Sequence, residues 1–162
     1  MKPDFVIRPA TQGDQSLILA LLHELAVYEK LTDRFLITEA IINRDYLGTP
    51  ARLECDLAFE GGKPAGIATW YWTYASFAAR RGIYLEDLFV RPEYRGRGYG
   101  KILLANLAKR VSAGGGGHVD WAVLDWNKPS IDFYDSLGAK NNSGWLGYRL
   151  SGEALEALAR DA

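Results

Sequence analysis

The chain opens with the apolar run Phe5-Val6-Ile7, closed by Pro9, which predicts a short first strand. Thr11-x-x-Asp14 then reads as a capping-box-like helix start, with Asp in place of the usual Glu. Leu17, Ala20, Leu21, Leu25 and Tyr28 recur at helical spacing and carry that helix to about Lys30. Thr38 to Tyr46 predicts a second, shorter helix. Leu53 to Phe59 and Ala65 to Tyr74 are β-rich runs parted by Gly61-Gly62, a hairpin signal, and a third strand follows from Ile83 to Val90. Pro92 and a glycine cluster interrupt that strand. Helical periodicity resumes with Ile102, Leu103, Leu107, Ala108 and Val111, and Gly114 to Gly117 make a turn. Val119 to Leu124 predicts another strand, Pro129 to Leu137 a helix with Pro in its first turn and Gly138 at its end, and Trp145 to Leu150 a last strand. A tail helix starts near Glu153. The order predicts a mixed α/β fold around one central sheet, in a single domain over residues 1–162.

Composition narrows the function. A hydrophobic fraction of 48% and a charged fraction of 24% fit an ordinary globular protein and exclude wholesale disorder. Nineteen Lys and Arg against twenty Asp and Glu give a net charge of -1, so no global basic field draws the chain to nucleic acid or an anionic membrane. No apolar run reaches the roughly 18 residues of a membrane span, and the N-terminal residues lack the pattern of a signal peptide. Cys55 is the one cysteine, which excludes an intrachain disulfide and a multi-cysteine zinc site and suits a cytoplasmic location. His23 and His118 have no ligand spacing around them, so no metal is expected.

Seven of the 17 glycines fall between Gly96 and Gly117. Arg95-Gly96-Arg97-Gly98-Tyr99-Gly100-Lys101 lies between a strand and a helix, where free backbone N–H groups and the helix dipole favour an anion and glycines let it approach. Two arginines and a lysine make a diphosphate the natural ligand. The segment is no nucleotide P-loop, because Arg95 stands where its first Gly is due and Ile102 follows the lysine. Leu103 occupies the third glycine of the dinucleotide fingerprint, so that reading also fails. Taken alone, the loop also reads as a glycine-rich turn with solvated arginines.

Arg95-x-x-Gly98-x-Gly100, entered through Leu85-Glu86-Asp87-Leu88-Phe89-Val90-Arg91-Pro92, resembles the acetyl-CoA motif of the GNAT superfamily of N-acetyltransferases. Val6-Ile7-Arg8-Pro9-Ala10-Thr11, Glu24-Leu25-Ala26-x-Tyr28-Glu29, Tyr84-Leu85-Glu86-Asp87 and Trp126-Asn127-x-Pro129-Ser130-Ile131-x-Phe133-Tyr134 are similar to its diamine (spermidine/spermine) branch. The resemblance spans residues 5 to about 150. It implies a GNAT fold with flanking helices, in which the strand from Tyr84 to Val90 splays from its neighbour and holds the pantetheine arm of acetyl-CoA through Leu88, Phe89 and Val90. Gly96 to Lys101 would then cradle the diphosphate, and Asn127, Lys128, Pro129 and Ser130 would line the cofactor elsewhere. The resemblance also implies a homodimer.

Acetylating an amine requires a neutral nucleophile, and an alkylammonium with pKa near ~10.4 is neutral in only about one part in a thousand at pH 7. A proton acceptor is therefore needed, and the resemblance assigns that role to Glu86, directly or through a water. The residue itself reads equally as a strand carboxylate paired with an arginine. The CoA thiolate needs a proton on leaving, and a tyrosine with pKa near ~10 can supply one. Tyr134 matches that general acid, although Ile131, Tyr134, Leu137 and Gly138 share a helix face and the spacing alone reads as core packing. Tyr28 and Glu29, with Asp120, Trp121 and Ala122 on a facing strand, match positions that contact the amine. Glu29 otherwise reads as a solvated helix-end charge. Trp70 to Tyr74 reads as core or dimer-interface packing ahead of an aromatic wall for the amine.

One segment departs from the branch. Ala75-Ser76-Phe77-Ala78-Ala79-Arg80-Arg81 stands where the diamine enzymes carry an acidic residue and a tryptophan. The exchange disfavours spermidine and spermine and favours a smaller amine or a thialysine-like amino acid, whose carboxylate the arginines could hold. Acetylation of a protein lysine or N-terminus, and a CoA-binding sensor without turnover, remain as alternatives.

Overall fold

The structure, a computed structural model, describes residues 4–162. The chain divides into two compact units, one ending at Ala122 and the other spanning Val123–Ala162. The first unit is built on a five-stranded sheet in the order β1-β2-β3-β4-β5, with β1 Phe5–Pro9, β2 Glu54–Glu60, β3 Lys63–Ala75, β4 Arg80–Val90 and β5 His118–Asp120. The first four strands pair antiparallel and β5 joins β4 in parallel. Three helices belong to this unit, α1 Gln15–Tyr28, α2 Glu39–Asp45 and α3 Tyr99–Ala113.

Side-chain alternation along β2 sorts the two faces. Cys55 and Leu57 join Ile18, Leu21 and Leu25 of α1 and Ile42 of α2 in one core. Asp56, between them, faces α3 and accepts from Asn106 at 3.2 Å, Arg110 at 3.0 Å and the indole of Trp70 at 3.1 Å. Leu103, Leu107 and Val111 bury the inner stripe of α3, and Tyr99 stacks on Phe5 with ring centroids 3.9 Å apart. Cys55 is buried and unbridged, and burial pushes its thiol well above the ordinary range.

The capping-box expectation at α1 is half met. The Asp14 carboxylate accepts the Thr11 N–H at 2.8 Å, as the reciprocal half of such a box does, but the helix begins only at Gln15. Asp14 also takes both Arg8 nitrogens, at 2.7 and 2.9 Å, which ties β1 to the helix start.

The second unit holds α4 Lys128–Ser136 and α5 Gly152–Ala159. Asn127 caps α4 by accepting the Ser130 N–H at 3.4 Å, and Gly138 ends it with φ 81°. The strand expected over Trp145 to Leu150 is absent: Trp145, Leu146 and Tyr148 are exposed, and no ladder is formed by this stretch. A β-rich pattern becomes a strand only when a neighbour accepts its backbone groups, and no described strand does so here. The strand expected over Val119 to Leu124 shortens to His118–Asp120 for a related reason, since its pairing with β4 ends at Tyr84↔Asp120.

Candidate active site

β4 carries the site because it is irregular on both edges. Toward β3 the register runs Thr69↔Asp87 and then Trp70↔Leu85, which leaves Glu86 as an extra, bulged residue. A bulge breaks strict alternation, so adjacent side chains come to face one region instead of opposite faces. Glu86 and Asp87 accordingly line the same open cleft, of about 460 Å³. Its apolar walls are Ile37, Tyr46, Leu53 and Tyr71, and Arg52 is the one cation in the lining. The volume falls in the range of roughly 300–1,000 Å³ usual for small-ligand pockets.

Two acids near the cleft are raised by their surroundings. Burial pushes the Asp87 carboxyl up to about 6, helped by the Glu86 charge and opposed by the hydrogen bond from Thr69. Glu29, half-buried at the end of α1, is likewise raised by burial and then by Asp87, so its charge is felt at the same site. Burial, reinforced by Asp87, also raises the Tyr46 phenol, and burial with Glu86 raises that of Tyr71. Three acidic residues thus favour a cation as ligand and hold a carboxyl near the pH where it can exchange a proton.

The other edge of β4 is open. β5 pairs with β4 only from Gly82 to Tyr84, and from Leu85 to Val90 no described strand lies on that side. Backbone groups of Leu88, Phe89 and Val90 are therefore available to an extended ligand arm. Asp120, Trp121 and Ala122 lie where the two strands part, with Asp120 exposed and 3.6 Å from His118.

β4 runs through Arg91 and Pro92 into the glycine loop. Gly96 and Gly98 adopt φ of 72° and 85°, and a Cβ built on either would meet only open space. Gly98 is the N-cap of α3 and offers no side chain to it, so the opening N–H groups of Tyr99, Gly100 and Lys101 have no side-chain cap. Lys101 and Arg95 are exposed beside them, and Arg95 lies over the Tyr28 ring at 5.0 Å while donating to the Val90 carbonyl at 2.8 Å. Arg97 is held by Glu60 at 2.5 Å, and the Tyr99 hydroxyl donates to the same carboxylate. Those two side chains therefore fasten the loop to β2.

In the second unit, Asn127 is buried at the start of α4, Lys128 pairs with Asp132 at 2.6 Å, and Pro129 and Ser130 form the first turn. Tyr134 is half-buried on α4, its ring centroid 5.3 Å from that of Phe133.

The arginines of the β3–β4 hairpin do not line the cleft. Arg81 stacks on Trp72 at 3.9 Å, and Arg80 packs beside Gly117. The cation in the cleft is Arg52, which spacing did not single out, because the loop before β2 reaches β4 only through the fold. Tyr71 also lines the cleft, whereas Trp70 is core. Asp87 had one sequence signal, its place beside Glu86.

A bulged acid pair, an open strand edge and a glycine loop without a side-chain cap at the following helix suit an acyl-CoA-dependent N-acetyltransferase. The Acetyltransferase (GNAT) family profile matches residues 20–139, and the chain belongs to that family. Thialysine N-epsilon-acetyltransferase of Sus scrofa is 37% identical, over 95% of this chain and 96% of its own. L-ornithine N5-acetyltransferase NATA1 of Arabidopsis thaliana is 32% identical, over 94% of this chain and 86% of its own. In fold, the V. cholerae integron cassette protein VCH_CASS6 superposes with a TM-score of 0.83 at 24% identity, over 97% of this chain and 98% of that one. The protein is an acetyl-CoA-dependent N-acetyltransferase.

Proposed function

We propose that the enzyme acetylates the side-chain amine of a small amino acid of the thialysine or ornithine type. The observation that carries this reading is the Glu86 bulge, which turns two adjacent carboxylates into one cleft of small-molecule size. The two curated relatives act, by their names, on amino acids with a terminal amine.

Acetyl-CoA supplies the activated acetyl group. The glycine loop fits its diphosphate, since Gly96 and Gly98 leave open space and the α3 terminus lacks a side-chain cap. Leu88, Phe89 and Val90 would hold the pantetheine arm along the open edge of β4, and Asn127 to Ser130 would line the cofactor. The substrate enters as an ammonium, drawn by Glu86, Asp87 and Glu29, and Glu86 takes its proton. The neutral nitrogen then forms the amide bond as the carbon–sulfur bond breaks, and the Tyr134 hydroxyl gives its proton to the departing sulfur. The nitrogen's second proton restores that hydroxyl through water, and Glu86 releases its proton to solvent. Tyr28, with Asp120 to Ala122, would complete the surroundings of the amine, and the whole chain would work as one catalytic domain.

A homodimer in the cytoplasm completes the reading. Exposed Trp145, Leu146 and Tyr148 are the kind of apolar surface a second copy covers, and sedimentation of the protein at micromolar concentration tests it. The functional test is a thiol-release assay with acetyl-CoA and an amine panel. Thialysine, ornithine or lysine should exceed spermine in kcat/KM, and spermine as best substrate would overturn the reading.

A further inference from the structure

The cleft contains a positive group that proton transfer does not use. Arg52 is the last residue but one before β2, and its backbone is pinned there: the Asp45 carbonyl accepts the Arg52 N–H at 2.7 Å and the Leu53 N–H at 3.1 Å. Its guanidinium is only loosely engaged. Asp45 is already taken by Arg44 through two hydrogen bonds, at 2.8 and 2.7 Å, and Arg52 approaches the same carboxylate through Nε at 3.1 Å. One carboxylate between two guanidinium groups leaves a local charge of about +1 at this wall of the cleft. Neither terminal nitrogen of Arg52 donates a hydrogen bond to another described residue, and the side chain is 78% exposed.

Register gives the separation. Trp70 of β3 pairs with Glu54 on one side and with Leu85 on the other, so the bulge and the start of β2 are two strand spacings apart, roughly 10 Å. Leu53, Ile37 and Tyr71 supply the apolar lining. An amine pocket alone would gain nothing from an arginine, which repels any second ammonium. A ligand with a cation at one end of a short aliphatic chain and a carboxylate at the other satisfies every charged group in the lining.

We propose that Arg52 is the specificity residue that binds the α-carboxylate of an amino-acid substrate, while its terminal amine lies at Glu86 and Asp87. This rests on the amino-acid reading above. It also predicts selection against polyamines, which place an ammonium where the carboxylate belongs.

The test compares thialysine with 2,2′-thiobis(ethylamine), the diamine left when its carboxyl group is removed, on wild-type enzyme and on Arg52→Gln, Arg52→Lys and Arg52→Glu. An exposed ion pair is worth a few-fold in affinity, so Arg52→Gln should raise KM for thialysine about two- to fivefold with kcat nearly unchanged. KM for the diamine should stay level or fall. Arg52→Lys should keep most of the thialysine preference, and Arg52→Glu should reverse it by improving the diamine, a gain that a misfolded protein cannot show. Equal effects on both substrates, or none, would overturn the role of Arg52 and leave the amino-acid reading standing. Wild-type enzyme that acetylates the diamine and not thialysine would overturn both.

Discussion

The Thr69 hydroxyl donates to Asp87 Oδ2 at 2.5 Å across the β3–β4 ladder, beside the bulged Glu86. Thr69 is fully buried, so this one hydrogen bond holds a carboxyl that burial otherwise pushes toward its neutral form. An acid raised from 3.8 to about 6 binds its proton more tightly in the folded protein. The resulting penalty on the fold is absent below pH ~4 and complete above pH ~6. Asp87→Asn should therefore stabilise the protein at pH 7–8 by about 2–3 kcal/mol, a gain that shrinks toward pH 4. The same variant should lose about tenfold or more in kcat/KM and flatten its rise through pH 6. Urea melts and pH–rate profiles check the two halves, and a variant both less stable and fully active contradicts the account.

Gly98→Val should weaken acetyl-CoA binding at least about tenfold. A branched side chain disfavours the φ of 85° found there and screens the α3 terminus from a diphosphate. No described residue crowds the position, so circular dichroism should still report a folded chain. Unchanged affinity by calorimetry in that folded variant would remove the loop from the cofactor site.

Tyr134→Phe should lower kcat about 10²–10⁴-fold with little change in acetyl-CoA affinity, the pattern of a lost general acid. Full turnover would return Tyr134 to packing beside Phe133, its ring neighbour on α4.

Asp14 gives a stability prediction remote from catalysis. Hydrogen bonds from Arg8 hold its carboxyl down at about 2 against an ordinary 3.8. A depressed folded pKa stabilises above the unfolded value and loses that contribution as pH falls through the folded one. Asp14→Asn should cost about 1–2 kcal/mol at pH 7, discounted for the exposure of Arg8, and almost nothing near pH 2. Parallel denaturation curves at the two pH values decide it.

Local pattern made much of the fold legible. The helical spacing of Leu17 to Leu25 and of Leu103 to Val111, and the β runs flanking Gly61-Gly62, need only neighbours along the chain. The glycine loop was legible for the same reason, since Gly98 and Gly100 act through their own backbone. Glu86 was visible as a residue, but its sharing of a cleft with Asp87 depends on the pairing Thr69↔Asp87 and Trp70↔Leu85, which no single strand encodes. Arg52 lies 34 positions before Glu86, in a loop whose path is set by the Asp45 carbonyl. Trp145 to Leu150 shows the converse failure, because its composition suits a strand and the described chain provides no neighbour for it.

Cys55 has a practical consequence. A lone thiol that is 6% exposed and held protonated by burial is a poor target for disulfide reagents and maleimides. The enzyme should therefore be colourless in an assay that counts released CoA with such a reagent, giving a background close to that of buffer. It also means that a cysteine introduced on the surface, at Trp145 for instance, would be the one site a fluorophore finds. A single-colour label there would report encounters between two copies without first stripping native cysteines from the chain.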